Sequence, residues 1–195
     1  THIVKINNKE LYKTSNNKKK NNIIFLDIAA PFHQDQIDNG YKPIERYFYY
    51  SQINRLLTMI SKYINCEVII FPHPKYKKNS SFFSKKFKIV NYNQESYLKK
   101  TRIVFVHHTS SIFKAINFKI KTIQIQSKKF NSFIYIYNNF FKKKYNLESI
   151  DLEEKNILKI KKKLFKLSKF YKEIEFNDEI DNINLISNFI SKNEK

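Results

Sequence analysis

Apolar positions gather in short, nearly continuous runs at 23–28, 66–71 and 103–106, with a weaker run at 122–125. Runs of this length without polar alternation are the pattern of strands covered on both faces. A shorter run at 87–90 reads as a further strand. Between the runs the period changes. Tyr49, Ile53, Leu56, Leu57, Ile60 and Ile64 recur at helical spacing and predict a helix over 45–64. A short helix is expected over 94–100, and Ile112, Ala115 and Ile116 predict another, with Thr109 or Ser110 as its natural cap. Strand and helix alternate, so the expected fold class is α/β: a Rossmann-like parallel sheet with flanking helices and right-handed crossovers.

The flanks read differently. Residues 1–22 are polar and predict an edge strand at 2–6 followed by a linker. The stretch 29–43 reads as a loop and holds the single glycine, Gly40. Residues 130–141 are aromatic and Asn-rich and support no assignment; their rings are open to a core reading or to a stacking surface for a base. A long amphipathic helix is expected over 151–174, with Ile157, Ile160, Leu164, Leu167, Tyr171 and Ile174 on one stripe and Lys155, Lys159, Lys162, Lys166 and Lys169 opposite. A second helix is expected over 178–190. The resulting division is an edge strand and linker (1–22), a Rossmann-like domain (23–147) and a C-terminal helical segment (148–195).

The chain has 195 residues and a formal net charge of +20. That charge first suggests a nucleic-acid-binding module. The composition argues against it: 34 of the 37 basic residues are Lys, and only Arg46, Arg55 and Arg102 supply the fork-shaped cation that reads bases and stacks on them. Lys, Asn, Ile, Phe and Tyr make up about three-fifths of the chain, which is what A/T-rich codons produce. Cys66 is the only cysteine, so there is no disulfide framework and no Cys-based metal site; it reads as a small buried hydrophobe. The chain opens at Thr1 without an apolar leader, which reads as a fragment or processed chain, and a cytoplasmic setting is expected. No apolar run approaches the ~18 residues that cross a bilayer. The basic face of 151–174 has two readings: a solvated face on a closing helix, or a peripheral contact with anionic lipid at the inner face of a membrane.

Ligands of open α/β sheets bind beyond the carboxyl ends of the strands. Two segments end strands there with polar side chains. In Pro72-His73-Pro74 the prolines stiffen the backbone on both sides of an imidazole that could donate to a phosphate oxygen. In Thr109-Ser110-Ser111 hydroxyls stand at a helix start, where open N–H groups favour anions. Each also has an ordinary reading, a turn that contains His and a common Ser cap. Asp27, Asp35 and Asp38 lie near the end of the first strand and read as solvated loop acids or as contributors to a site. Of His107 and His108, one is expected to face the site and one the core. His33, in the long loop, carries no signal. The lack of a Gly-rich phosphate loop counts against kinases and dinucleotide oxidoreductases.

Four motifs occur in order: IIFLD (23–27), FPHP (71–74), VFVHHTSSIFKAI (104–116) and KTIQI (121–125). Over these the chain resembles the C-terminal, donor-binding half of GT-B glycosyltransferases, nearest to the sialyltransferases and polysialyltransferases of bacterial surface polysaccharides. The resemblance covers about half of the chain. It implies an inverting, metal-independent transferase with no cofactor, whose donor is a nucleotide-activated sugar, CMP-sialic acid or a related nonulosonic acid. It also implies a glycan or glycolipid acceptor. His73, with Pro74, would contact the donor phosphate and stabilise the leaving nucleotide. Thr109, Ser110 and Ser111 would hold the same phosphate or the donor carboxylate. In such enzymes the general base comes from the N-terminal half. The family often has an acid just before the Ala of the Ser-Ser helix. Here that residue is Lys114, a departure that puts the nucleotide contacts in question and would suit an anionic donor. Two other readings remain: a nucleic-acid module, and an inactive remnant of a transferase. The transferase reading requires His73 and the Ser pair to share one edge of the sheet.

Overall fold

A computed structural model describes residues 21–90 and 94–165. The expected strand at 2–6, the helix at 178–190 and the positions of Lys166 and Lys169 lie outside them. Six strands run in parallel: β1 (Asn22–Leu26), β2 (Glu67–Phe71), β3 (Lys88–Ile89), β4 (Thr101–Val106), β5 (Lys121–Gln126) and β6 (Glu148–Asp151). Six helices join or follow them: α1 (Gln34–Asp38), α2 (Arg46–Ile64), α3 (Gln94–Leu98), α4 (Ile112–Asn117), α5 (Ser132–Lys144) and α6 (Ile157–Phe165). The strand order is β3-β2-β1-β4-β5-β6. The fold is therefore the expected Rossmann-like α/β sheet, and its order reverses between β1 and β4, the place where such sheets open a crevice at their carboxyl edge.

The runs read as doubly covered strands are so. In β1, β2 and β4 all but the first or second residue is buried. Alternate residues enter two cores. Ile23, Phe25, Val68, Ile70, Ile103 and Phe105 pack with Ile53, Leu56, Leu57 and Ile60 of α2 and with Ile160 and Leu164 of α6. Ile24, Leu26, Ile69, Phe71, Val104 and Val106 pack with Leu98, Ile112, Ala115 and Ile116 on the other face. Each fully buried Ile or Leu contributes about 1.5–3 kcal/mol by leaving water. Cys66 is buried, as expected, and unpaired.

α2 starts where its cap chemistry dictates. The Glu45 carboxylate accepts from the N–H groups of Tyr47 (2.8 Å) and Phe48 (2.5 Å). The helix ends at Asn65, which takes the left-handed conformation (φ 50°) that Asn tolerates better than most residues. The unassigned aromatic stretch is α5, capped by the Asn131 side chain, which accepts from the Ile134 N–H at 3.1 Å. The loop expected over 29–43 contains a 3₁₀ turn, Ala30–Phe32, and α1.

One expectation is corrected. No helix starts at 151; residues 148–151 form β6, paired along β5, and the helix begins at Ile157. The sheet thus continues past residue 147. Arg55 of α2 ties this segment down by donating to the carbonyls of Leu152 (2.8 Å) and Glu154 (3.0 Å). α6 then buries Ile160 and Leu164 and leaves Lys159 and Lys162 exposed, so its described part packs on the sheet with a solvated basic face. No helix among the described residues is long and apolar enough to cross a membrane.

Replacing Arg55 by Ala removes two charge-assisted bonds to half-buried carbonyls and should lower stability by about 2 kcal/mol in urea unfolding. Arg55→Lys should recover less than half of the loss, because an ammonium lacks the fork that reaches both oxygens. Full recovery with Lys would show that charge alone holds the β6 segment.

Candidate functional site

All strands are parallel, so the segments after β1, β2 and β4 leave the sheet at one edge. His33 follows β1, His73 follows β2, and His108 follows β4. β2 and β4 flank β1, which separates their ends by two strand spacings, roughly 10 Å. His33 stands in that gap: its ring centre lies 6.4 Å from that of His73 and 5.8 Å from that of His108. The imidazole at 73 and the hydroxyls at 109–111 thus share the carboxyl edge, as the transferase reading requires.

His73 is placed by the stiff turn around it. Its Nδ1 accepts from the Lys75 N–H at 3.3 Å, so a neutral ring carries its proton on Nε2, where it can be donated. The ring is half-buried and lies 5.3 Å from Tyr76. Burial, with His33 and Lys75 nearby, holds its pKa below the usual histidine value. His33 is lowered in the same way, by burial first; the exposed Asp35 carboxylate, 4.0 Å from its Nδ1, opposes the shift.

The turn after β4 differs from its expected form. Ser111, not Thr109 or Ser110, caps α4, and its hydroxyl makes no capping bond. The N–H groups of Ile112, Phe113 and Lys114 donate to the carbonyls of Thr109, Ser110 and Ser111 at 3.1–3.2 Å. The first turn is closed on itself, so the open N–H groups expected there are taken. The Thr109 Oγ1 accepts from the Ser111 N–H at 3.3 Å, while Ser110 and Lys114 are exposed. What this turn offers a ligand is hydroxyl groups.

Neither His107 nor His108 is solvent-facing. His107 sits in the core, with Nδ1 2.9 Å from the Ile125 carbonyl and Nε2 2.9 Å from the Tyr49 hydroxyl. A carbonyl only accepts, so Nδ1 bears the proton. The same Tyr49 hydroxyl donates to Asp27 Oδ1 at 3.1 Å, and that oxygen also accepts from the Ala29 N–H at 2.9 Å. Asp27 is therefore no loop acid but a buried anchor, 7% exposed. Burial pushes its carboxyl up to about 6 and the His107 ring down to about 4. Asp35 and Asp38 are exposed on α1.

His108 is 8% exposed and packs beside Tyr137 and Phe133 of α5. Its Nδ1 lies 3.1 Å from Asn138 Oδ1, and burial lowers its pKa to about 3. These α5 rings are thus partly core and partly wall of the edge. His33 carried no signal in sequence, yet it connects the other two rings. A signal existed: each of the three central strands is followed shortly by a histidine. No three His, Cys, Asp or Glu among the described residues are grouped so as to hold a metal ion.

No protein-family model and no curated protein sequence matches the chain. Solved structures do. The UDP-GlcNAc 2-epimerase of Methanocaldococcus jannaschii, in complex with UDP-GlcNAc and UDP, aligns with a TM-score of 0.53 and 12% identity over 87% of this chain and 45% of the epimerase chain. A second structure of that enzyme gives 0.50 and 14% identity over 79% and 41%. The glycosyltransferase SnogD from Streptomyces nogalater aligns more loosely, at 0.45 and 7% identity over 75% and 35%. The chain spans less than half the length of each. At these identities the likeness is one of fold: this chain has the form of one Rossmann-like half of a GT-B protein.

The raised Asp27 pKa gives a signed prediction. The folded chain holds this proton between pH 4 and 6 and the unfolded chain does not, so Asp27's contribution to stability falls across that window as pH rises. Asp27→Asn keeps the acceptor oxygen and has no proton to lose. The variant should gain on wild type by about 3 kcal/mol between pH 4 and pH 7 in chemical unfolding. Parallel stability curves would rule out a raised carboxyl at this position.

Proposed function

We propose that the chain is the donor-binding half of an inverting glycosyltransferase that takes a nucleotide-activated sugar. The observation that supports this reading is that His73, with a donor proton on Nε2, and the hydroxyls of Thr109–Ser111 follow strands that end at the same carboxyl edge, either side of the switch between β1 and β4. Pro74 fixes the turn that aims His73. CMP-linked sialic acid, or a related nonulosonic acid, is the first-choice donor, on the motif resemblance and on the cation Lys114 where the family often has an acid. The matched epimerase binds UDP-GlcNAc, which places UDP in the same titration series. The partner substrate is a surface glycan or glycolipid. Contact with a membrane through the Lys face of α6 and the residues after it belongs to the same proposal.

In the proposed transfer an acceptor hydroxyl attacks the anomeric carbon. The bond from that carbon to the phosphate oxygen breaks, and the nucleotide leaves with the electron pair. Nε2 of His73 donates to the phosphate and stabilises charge as it develops, and Ser110 and Ser111 add neutral hydrogen bonds. The acceptor's proton passes to a base that the resemblance places in the other half of such enzymes. Neither a metal nor a cofactor is part of this scheme.

Calorimetric titration of the full chain with CMP, UDP and GDP tests the reading. One nucleotide should bind, His73→Ala should weaken it by about ten- to a hundredfold, and Ser110→Ala by about fivefold. A folded chain that binds none of the three discards the proposal.

A further inference from the structure

The proton bookkeeping of the three edge histidines has a consequence for ligand binding. His108 donates from Nδ1 to Asn138 Oδ1, so in the neutral ring Nε2 is a bare acceptor. That nitrogen is buried and has no hydrogen-bond partner. His33 Nδ1 is buried without one as well. A phosphate oxygen only accepts, and so it repels a lone pair. It can be received beside His108 Nε2 only if a proton is placed there, and beside His33 Nδ1, 4.0 Å from the Asp35 carboxylate, only where that nitrogen carries a proton.

The surroundings keep that proton off while the edge is empty. Facing the three rings are Asp35 of α1, Lys75 and Tyr76 of the turn after β2, His107 at the end of β4, and Tyr137 of α5, which itself interacts with Tyr41. Only Asp35 is anionic, and at 71% exposure its charge is spent largely on solvent. Lys75 is a fixed cation that opposes further positive charge on His33 and His73. An entering phosphate reverses the balance by adding a desolvated anion where the rings had only the solvent-exposed Asp35 carboxylate.

We propose that His33, His73 and His108 form one anion site that is uncharged when empty and draws a proton from solvent as a phosphate enters. This rests on the donor-binding reading above, and it assigns His33 and His108 binding roles beside His73. The balance is simple: a neutral imidazole, a solvent proton and a bound phosphate give an imidazolium–phosphate pair. Such a site favours donors that carry phosphate over neutral sugars and binds them best on the acid side of neutrality.

The test is calorimetry on the full chain, with UDP-N-acetylglucosamine and CMP-sialic acid in buffers of differing ionisation enthalpy. The phosphates of these donors are diesters whose charge is fixed from pH 5.5 to 8, so any proton uptake belongs to the protein. Uptake should approach about one proton per donor near pH 6.5, and affinity should fall about tenfold per pH unit above it. His33→Gln and His108→Gln should each cut uptake by at least half. His33 lies in a half-buried turn, so its variant tests the count even if the His108 change disturbs folding. Donor binding without proton uptake, or uptake undiminished in a folded His33→Gln, overturns the inference and leaves the donor-binding reading standing. No donor binding at any pH overturns both.

Discussion

A line of hydrogen bonds runs under the carboxyl edge from the Ala29 N–H to Asp27, on to the Tyr49 hydroxyl, to His107 and into the Ile125 carbonyl. It joins the ends of β1, β4 and β5 to the first turns of α2, and it lies where the strand order reverses. Tyr49 has one proton and two acceptors, so the line is complete only when Asp27 or His107 holds one more. A buried carboxylate is costly, and this one is kept because its partners fix where the chain leaves β1. Ala29 takes the left-handed conformation (φ 51°) directly after it, and the backbone turns from there into the segment that carries His33. The spacing of the three edge imidazoles depends on that anchor.

How much of this was legible follows from which forces act locally. The buried strands and α2 could be read because continuous burial and a clean helical period leave marks on every residue. β6 could not: Glu148–Asp151 buries only Ile150, and a four-residue strand with one apolar contact resembles the start of the helix behind it. α5 was hidden because aromatic and Asn residues are poor helix formers whose helix is set by the Asn131 cap and by packing. At the site, Pro72-His73-Pro74 and Thr109-Ser110-Ser111 announced themselves by local stiffness and hydroxyl content. The role of Asp27 did not, since its side-chain partner Tyr49 lies on α2 and is held in turn by His107 after β4. His33 was silent for the same reason: strand order, which no local pattern carries, decides that the loop after β1 lies between the other two.

The charge of the molecule and the charge of the site are different things. Among the described residues the lysines lie mainly on exposed helix faces and turns, and the chain's net positive charge draws anions toward the molecule over tens of ångströms at low salt. At the edge itself the groups are imidazoles and hydroxyls, with the exposed charges of Asp35, Lys75 and Lys114 around them. Attraction at a distance therefore carries little discrimination, which is left to side chains that present hydrogen bonds in fixed directions.

Among the described residues, the two outermost strands bear on how copies of the molecule meet. β3 is two residues long and β6 four, and the ammonium of Lys163 occupies the Ser149 carbonyl at 2.6 Å. Neither margin offers a backbone row long enough to template a strand from a second molecule. Despite its Ile- and Phe-rich interior, the sheet formed by the described residues thus offers little at either margin for intermolecular β-pairing.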